Sequence, residues 1–213
     1  LVDGLGERYE IMRGYFKPYS ACRYTHAAVD AVLALRAEGV DPDAVQRIEV
    51  ETYDIAARLA DPEPETPLAG RFSTPYVVAA TLLRGDAGPQ SFRPGVLRDP
   101  AVLEMAGRVT VREDASFTAM TPANRPARVR LHLQDGSQRE KMVTGSKGDP
   151  DQPMRVPELR EKFYSLIRPA LGTEAATAAW ETLGQLAQLP RLDELTALLV
   201  PAGEQQKEVS KER

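Results

Sequence analysis

Ala127-Arg128-Val129-Arg130-Leu131-His132-Leu133, followed by Gln134-Asp135-Gly136 and Ser137-Gln138-Arg139-Glu140-Lys141-Met142-Val143, decides the fold class. From Ala127 to Leu133 apolar and polar side chains alternate, the two-residue period of a strand with one buried face. Asp135-Gly136 supplies the residue pair that tolerates positive φ in a tight hairpin turn, and Ser137 to Val143 is the returning strand. His132 lies opposite Leu131 and Leu133, toward solvent, and carries no assigned role. Upstream, Arg108 to Arg112 and Gln46 to Tyr53 are further strand candidates; in the latter Ile48 and Val50 point one way and Glu49 and Glu51 the other. Four strands predict an antiparallel or mixed sheet with helices on one face, an α+β fold.

The helices frame those strands. Thr25 can cap a helix that gathers Ala28, Val29, Val32, Leu33 and Leu35 on one face and ends at Gly39. Asp61 to Pro67, with three prolines, reads as a loop, and Gly88 to Gly95 as a surface loop. Pro75 suits the first turn of a helix through Leu83, stopped by Gly85. From Pro157 the pattern is helical through Leu159, Phe163, Leu166 and Ile167, then from Ala175 to Leu199, with breaks at Gly172 and Pro190. The expected organisation is an α+β domain over 14–156, carboxy-terminal helices over 157–202, and a flexible charged tail over 203–213. The late leucines, Leu183 to Leu199, exceed what one small sheet can cover. Either they dock on another domain or subunit, or the helices form a hairpin packed on itself.

With 213 residues, 42% hydrophobic, and a formal net charge of −4, the chain has the composition of a soluble globular protein. The charge balance argues against nucleic acid as a partner, and no apolar run is long enough for a membrane span. A cytoplasmic location is expected. One cysteine, Cys22, and two histidines, His26 and His132, are too few for an internal disulfide, an iron-sulfur cluster or a convincing zinc site. No metal and no cofactor is expected. Thr144 to Gly148 lacks the residue order of a phosphate loop, and Gly4-x-Gly6 lacks that of a dinucleotide fingerprint. The first residue, Leu1, suggests a chain cut from something longer.

The densest polar cluster is Lys17-Pro18-Tyr19-Ser20-Ala21-Cys22-Arg23-Tyr24-Thr25-His26: two cations, an imidazole and a thiol just before a helix start. Backbone N–H groups at a helix start and paired cations both favour carboxylates. Spacing alone leaves two readings open, an anion site and a solvated loop with His26 at the first helical turn.

K-P-Y-x-x-C-R-x-x-H-x-A-x-D, beginning at Lys17, is similar to the segment that opens the second domain of MmgE/PrpD proteins, the 2-methylcitrate dehydratase family. Phe72-Ser73-Thr74-Pro75-Tyr76-Val77-Val78-Ala79 resembles that family's F-S-x-P-Y-x-V-A motif. Gly148 to Pro153, with Glu158-Leu159-Arg160-Glu161-Lys162-Phe163, resembles its G-x-P-x-N-P loop and E-L-x-x-K-F helix. The matches fall in family order from Lys17 to Phe163. Ser20 and Ala27 depart from it, standing where relatives often have proline.

The resemblance implies a smaller α+β lid closing over a larger all-helical domain, with the last helices returning to that domain. It implies a metal-independent lyase or isomerase of small di- or tricarboxylates, with a 2-methylcitrate dehydratase-type hydro-lyase the first expectation. By that mapping Lys17 binds a carboxylate and Tyr76 donates a hydrogen bond or proton, so the two are the candidate catalytic residues. Cys22, Arg23 and His26 join Lys17 as candidate substrate contacts; Cys22 stands where some relatives have histidine, or is simply a small residue in a turn. The expected partners are a small polycarboxylate, the helical domain in the same or another chain, and a second copy in a homodimer. The helical domain supplies acidic and histidine residues in the family, so this half is expected to be inactive alone. The competing expectation is a non-catalytic binding or dimerisation module derived from the lid.

Overall fold

A computed structural model describes residues 4, 6, 7 and 9–200; the expected tail over 203–213 lies outside them. The chain falls into two compact units, one ending at Pro153 and one beginning at Met154.

The first unit holds a four-stranded sheet of β1 (Val45–Thr52), β2 (Val109–Glu113), β3 (Ala127–Leu133) and β4 (Gln138–Val143), in the order β2-β1-β3-β4. The sheet is mixed. β1 runs parallel to β2 and antiparallel to β3, and β3 antiparallel to β4. The register sets Ile48 beside Val109 and Leu131, and Val50 beside Val111 and Val129. One face therefore stacks apolar side chains across three strands, which is what alternation with one buried face requires. At the hairpin Gly136 has φ 83°, and Asp135 Oδ1 accepts from the Ser137 amide at 2.8 Å. β4, its second strand, forms a sheet edge.

Parallel neighbours need a crossover. Residues 53–108 supply it with α2 (Asp54–Ala57), α3 (Pro67–Arg71), α4 (Thr74–Arg84), α5 (Pro94–Leu97) and α6 (Pro100–Gly107). α1 (His26–Ala37) precedes β1, and α7 (Ala115–Thr118) links β2 to β3. α1 packs on β3 and β4, α4 on β2, and both helices on each other. Their shared core includes Val29, Val32, Leu35, Ile48, Val77, Leu82 and Leu131, all fully buried. Ser73 caps α4 by accepting from the Tyr76 amide at 3.0 Å, and Gly85, with φ 71°, ends it.

Two local expectations are corrected. Thr25 does not cap α1 with its side chain; its hydroxyl donates to the Cys22 carbonyl at 2.9 Å, closing a 3-10 turn over Arg23–Thr25 that leads into the helix. Residues 88–95 are not an open loop, because a 3-10 turn over Pro89–Phe92 buries Phe92 and the chain then enters α5.

In the second unit α8 (Val156–Gly184) is broken at Gly172, whose φ of 81° and ψ of 172° leave the helical region, so two helical segments meet there. α9 (Asp193–Leu198) follows. Glu158 accepts from the Arg155 amide at 2.8 Å to start α8. Phe163 and Trp180, one from each segment, bring their ring centroids to 5.4 Å. Leu166, Leu186, Leu192 and Leu199 remain exposed. Among the described residues no helix is long and apolar enough to cross a membrane.

Candidate functional site

The lead-in segment 15–26 runs against the loop 144–152, and the two are stitched together by charge and backbone. Arg23 is the centre of the seam. Its guanidinium donates to Ser146 Oγ at 2.8 Å, forms a salt bridge with Asp149, and lies 5.3 Å from the Tyr15 ring centroid. Its side chain is only 10% exposed. Arg23 was expected to meet a substrate carboxylate; in the structure a protein carboxylate already fills that role, so its charge is spent on the loop.

His26 starts α1 and is fully buried. Its Nε2 lies 3.2 Å from the Ala21 carbonyl, which can only accept, so Nε2 carries the proton. Nδ1 is then a bare acceptor, without a partner among the described residues. Burial first, then the Arg23 and Lys17 charges, hold the imidazole down at a pKa of about 4, against the Ala21 hydrogen bond. His26 is neutral near pH 7, and its whole surface is buried within this chain.

Asp30, one helical turn further, anchors both sides of the seam. It accepts from the Tyr19 hydroxyl and, at 3.0 Å, from the Lys147 amide. Burial pushes its carboxyl up, opposed by those two donors and the nearby Lys147 and Arg23 charges. The Ser146 amide points to Asp149 at 3.3 Å. The Ser146 and Lys147 amides are therefore turned on the chain's own carboxylates.

Two expected site residues stay accessible. Lys17 is exposed, with no hydrogen-bond or ion-pair partner among the described residues. Cys22 is half-buried, a free thiol whose amide donates to the Arg71 carbonyl at 2.7 Å. Tyr76 is not among them. It is fully buried in α4, tilted against Phe92, and its hydroxyl donates to the Ser91 carbonyl at 2.6 Å. Burial pushes the phenol up to about 12. Within this chain its proton is held by a core carbonyl, and the charges acting on it, Arg84 and Asp99, are not those of the Lys17 cluster.

Sequence reasoning missed Tyr19, Asp30, Ser146 and Asp149 as functional supports. Asp30 and Asp149 stood inside the quoted motifs, but pairing of Arg23 with Asp149 at a sequence separation of 126 leaves no local pattern. Among the described residues the arrangement presents one free ammonium, that of Lys17, and one thiol on a braced frame. It can hold an anion. In this cluster Asp30 and Asp149 are engaged and His26 is buried, so none of these three stands ready beside Lys17 to take a proton from carbon. Among the described residues no group of three or more His, Cys, Asp or Glu is placed to hold a metal ion.

Residues 19–187 match the model of the MmgE/PrpD C-terminal domain. Cys22, Arg23, His26 and Tyr76 lie inside the match, and Lys17 just before it. Cis-aconitate decarboxylase of Mus musculus is 26% identical over 197 residues, covering 86% of this chain and 39% of its own length. The chain thus spans well under half of that relative. Since the family match covers most of its residues and its fold is the α+β arrangement described above, the chain belongs to the MmgE/PrpD family of lyase-type enzymes, as a C-terminal domain.

Proposed function

We propose that this chain is the carboxylate-holding lid of a metal-independent lyase or isomerase acting on small di- or tricarboxylates, most specifically a 2-methylcitrate dehydratase-type hydro-lyase. The observation that carries the reading is Lys17: an exposed ammonium without a partner among the described residues, on a segment whose neighbouring charges, Arg23, Asp30 and Asp149, are all engaged. A carboxylate bound there gains a charge-assisted contact of about 1.5–3 kcal/mol. The base and the rest of the cleft belong to an all-helical domain, in the same or another chain, and the working assembly is a homodimer. Similarity to cis-aconitate decarboxylase favours a second reading, decarboxylation of a tricarboxylate at the same cation.

The test is turnover with and without the helical half. The 213-residue chain alone is expected to leave 2-methylcitrate and cis-aconitate untouched, and the complete assembly to convert one of them, identified by its product. Lys17→Ala in that assembly should raise KM by about 10- to 100-fold, the same contact energy read as affinity. Robust turnover by the chain alone would show that the base has been misplaced. An assembly inert on both acids would favour the non-catalytic binding module.

Tyr76→Phe separates the core role from the acid role. It leaves the Ser91 carbonyl without its donor, so the melting temperature should fall, by the equivalent of about 1–2 kcal/mol, with turnover per folded molecule kept. A hundredfold loss of turnover at unchanged stability would restore Tyr76 as a proton donor.

A further inference from the structure

An ammonium at the end of four methylenes is useful only if its backbone is held still, and the residues on either side of Lys17 are gripped from the loop 144–152. The Phe16 amide donates to the Gly148 carbonyl at 3.1 Å. Gly148 has φ +91°, and a Cβ placed on it would stand 2.0 Å from the Phe16 carbonyl oxygen and 3.1 Å from Pro18 Cδ. Only glycine allows that approach, both by conformation and by space. On the far side of Lys17, Tyr19 is tied to Asp30, which also accepts from the Lys147 amide. The loop is itself pinned by Arg23 through Ser146 and Asp149, and closed by the Gly148 amide donating to the Gln152 carbonyl at 2.8 Å.

We infer that this loop is the positioning element of Lys17: Gly148 sets the path of the Lys17 backbone, and Arg23, Asp149 and Asp30 act on the site through the loop and not by touching a ligand. The inference rests on the proposed carboxylate role of Lys17. It assigns Arg23 a duty opposite to direct anion binding, and the two duties predict opposite results. If Arg23 waits for a ligand, removing Asp149 frees it and tightens binding. If Arg23 holds the loop, removing Asp149 loosens Lys17 and weakens binding.

The experiment uses the full chain, with citrate as the tricarboxylate probe in calorimetric titration and amide hydrogen exchange at Phe16 as a ligand-independent readout. Gly148→Ala and Asp149→Ala should each speed Phe16 exchange and weaken citrate binding, both by about tenfold or more. Asp149→Glu should recover part of both. Lys17→Ala should weaken citrate as much, and Lys17→Ala combined with Asp149→Ala no further, the non-additivity of a residue acting through another. Phe16 exchange unchanged in both loop variants, additive losses in the double variant, or tighter citrate binding on Asp149→Ala would each overturn the inference. Faster exchange with citrate binding indifferent to Lys17→Ala removes the carboxylate reading of Lys17 and supports the loop's hold on the segment. Should Gly148→Ala fail to fold, the Asp149 pair of variants carries the same decision.

Discussion

On the outer face of the sheet Arg128 meets Glu51, Asp114 and Glu140, and Arg130 meets Glu49 and Glu140; at the lead-in segment Arg23 meets Asp149 and a serine hydroxyl. Both regions pair arginine with carboxylate across elements distant in sequence, yet they work in different surroundings. The strand arginines are 27% exposed, and each shares several acids, so losing one partner leaves others in reach. Arg23, at 10% exposure, forms its salt bridge with a single acid among the described residues. The histidines follow the same division. His132 sits 3.4 Å from Glu49 on the open face, whereas His26 is fully buried, with one nitrogen unpartnered among the described residues. A redundant, wet network tolerates damage; a single, nearly dry contact transmits it.

Acid gives the largest expected break between the two regions. The folded His26 has a pKa of about 4, and an unfolded histidine titrates near 6.5, so the unfolded chain takes up its proton first. The His26 contribution is therefore complete above about pH 6.5 and lost as pH falls toward 4, a total of about 3 kcal/mol. Denaturant midpoints across that window should fall in the wild type, with a shallower fall in His26→Gln. Equal acid slopes in the two proteins would trace the effect elsewhere.

Next in size is Asp149→Ala, which strands the Arg23 guanidinium. A loss of about 2 kcal/mol is expected, read from urea unfolding, because a charge taken largely out of water loses its counter-ion. A loss below about 0.5 kcal/mol would place Arg23 in the same class as the strand arginines.

The smallest effect belongs to Arg130→Gln on the sheet face: at most about 1 kcal/mol, shrinking further in 0.5 M salt. A salt-insensitive loss as large as that of Asp149→Ala would erase the contrast altogether.

Much of the scaffold could be read ahead of the structure, for reasons that differ by element. Alternation in 127–133 and at Ile48 and Val50 is imposed by a sheet with one buried face, and Gly85 and Gly136 mark positive φ that other residues avoid. The direction of β1 relative to β2 was not legible, because a period of two is the same in parallel and antiparallel pairs. Helix α6 went unread among flanking prolines and glycines. At the site, the motifs located Lys17, Arg23 and Tyr76 along the chain but said nothing of which way each side chain turns. Tyr76 turned to the core carbonyl of Ser91 and Arg23 to a loop more than a hundred residues away.

The strand order carries a consequence for how the chain is made. β1 lies inside the sheet, yet neither of its neighbours is complete until Glu113 and Leu133 have been synthesised. Until then its Val45, Ile48 and Val50 side and both hydrogen-bonding edges stay open, a stretch prone to pair with the wrong chain. Native strand pairing waits for β2 and then for the hairpin, so early truncations ending in the crossover are expected to leave a sticky, chaperone-dependent fragment, and the order of the strands becomes a matter of timing during translation as well as of architecture.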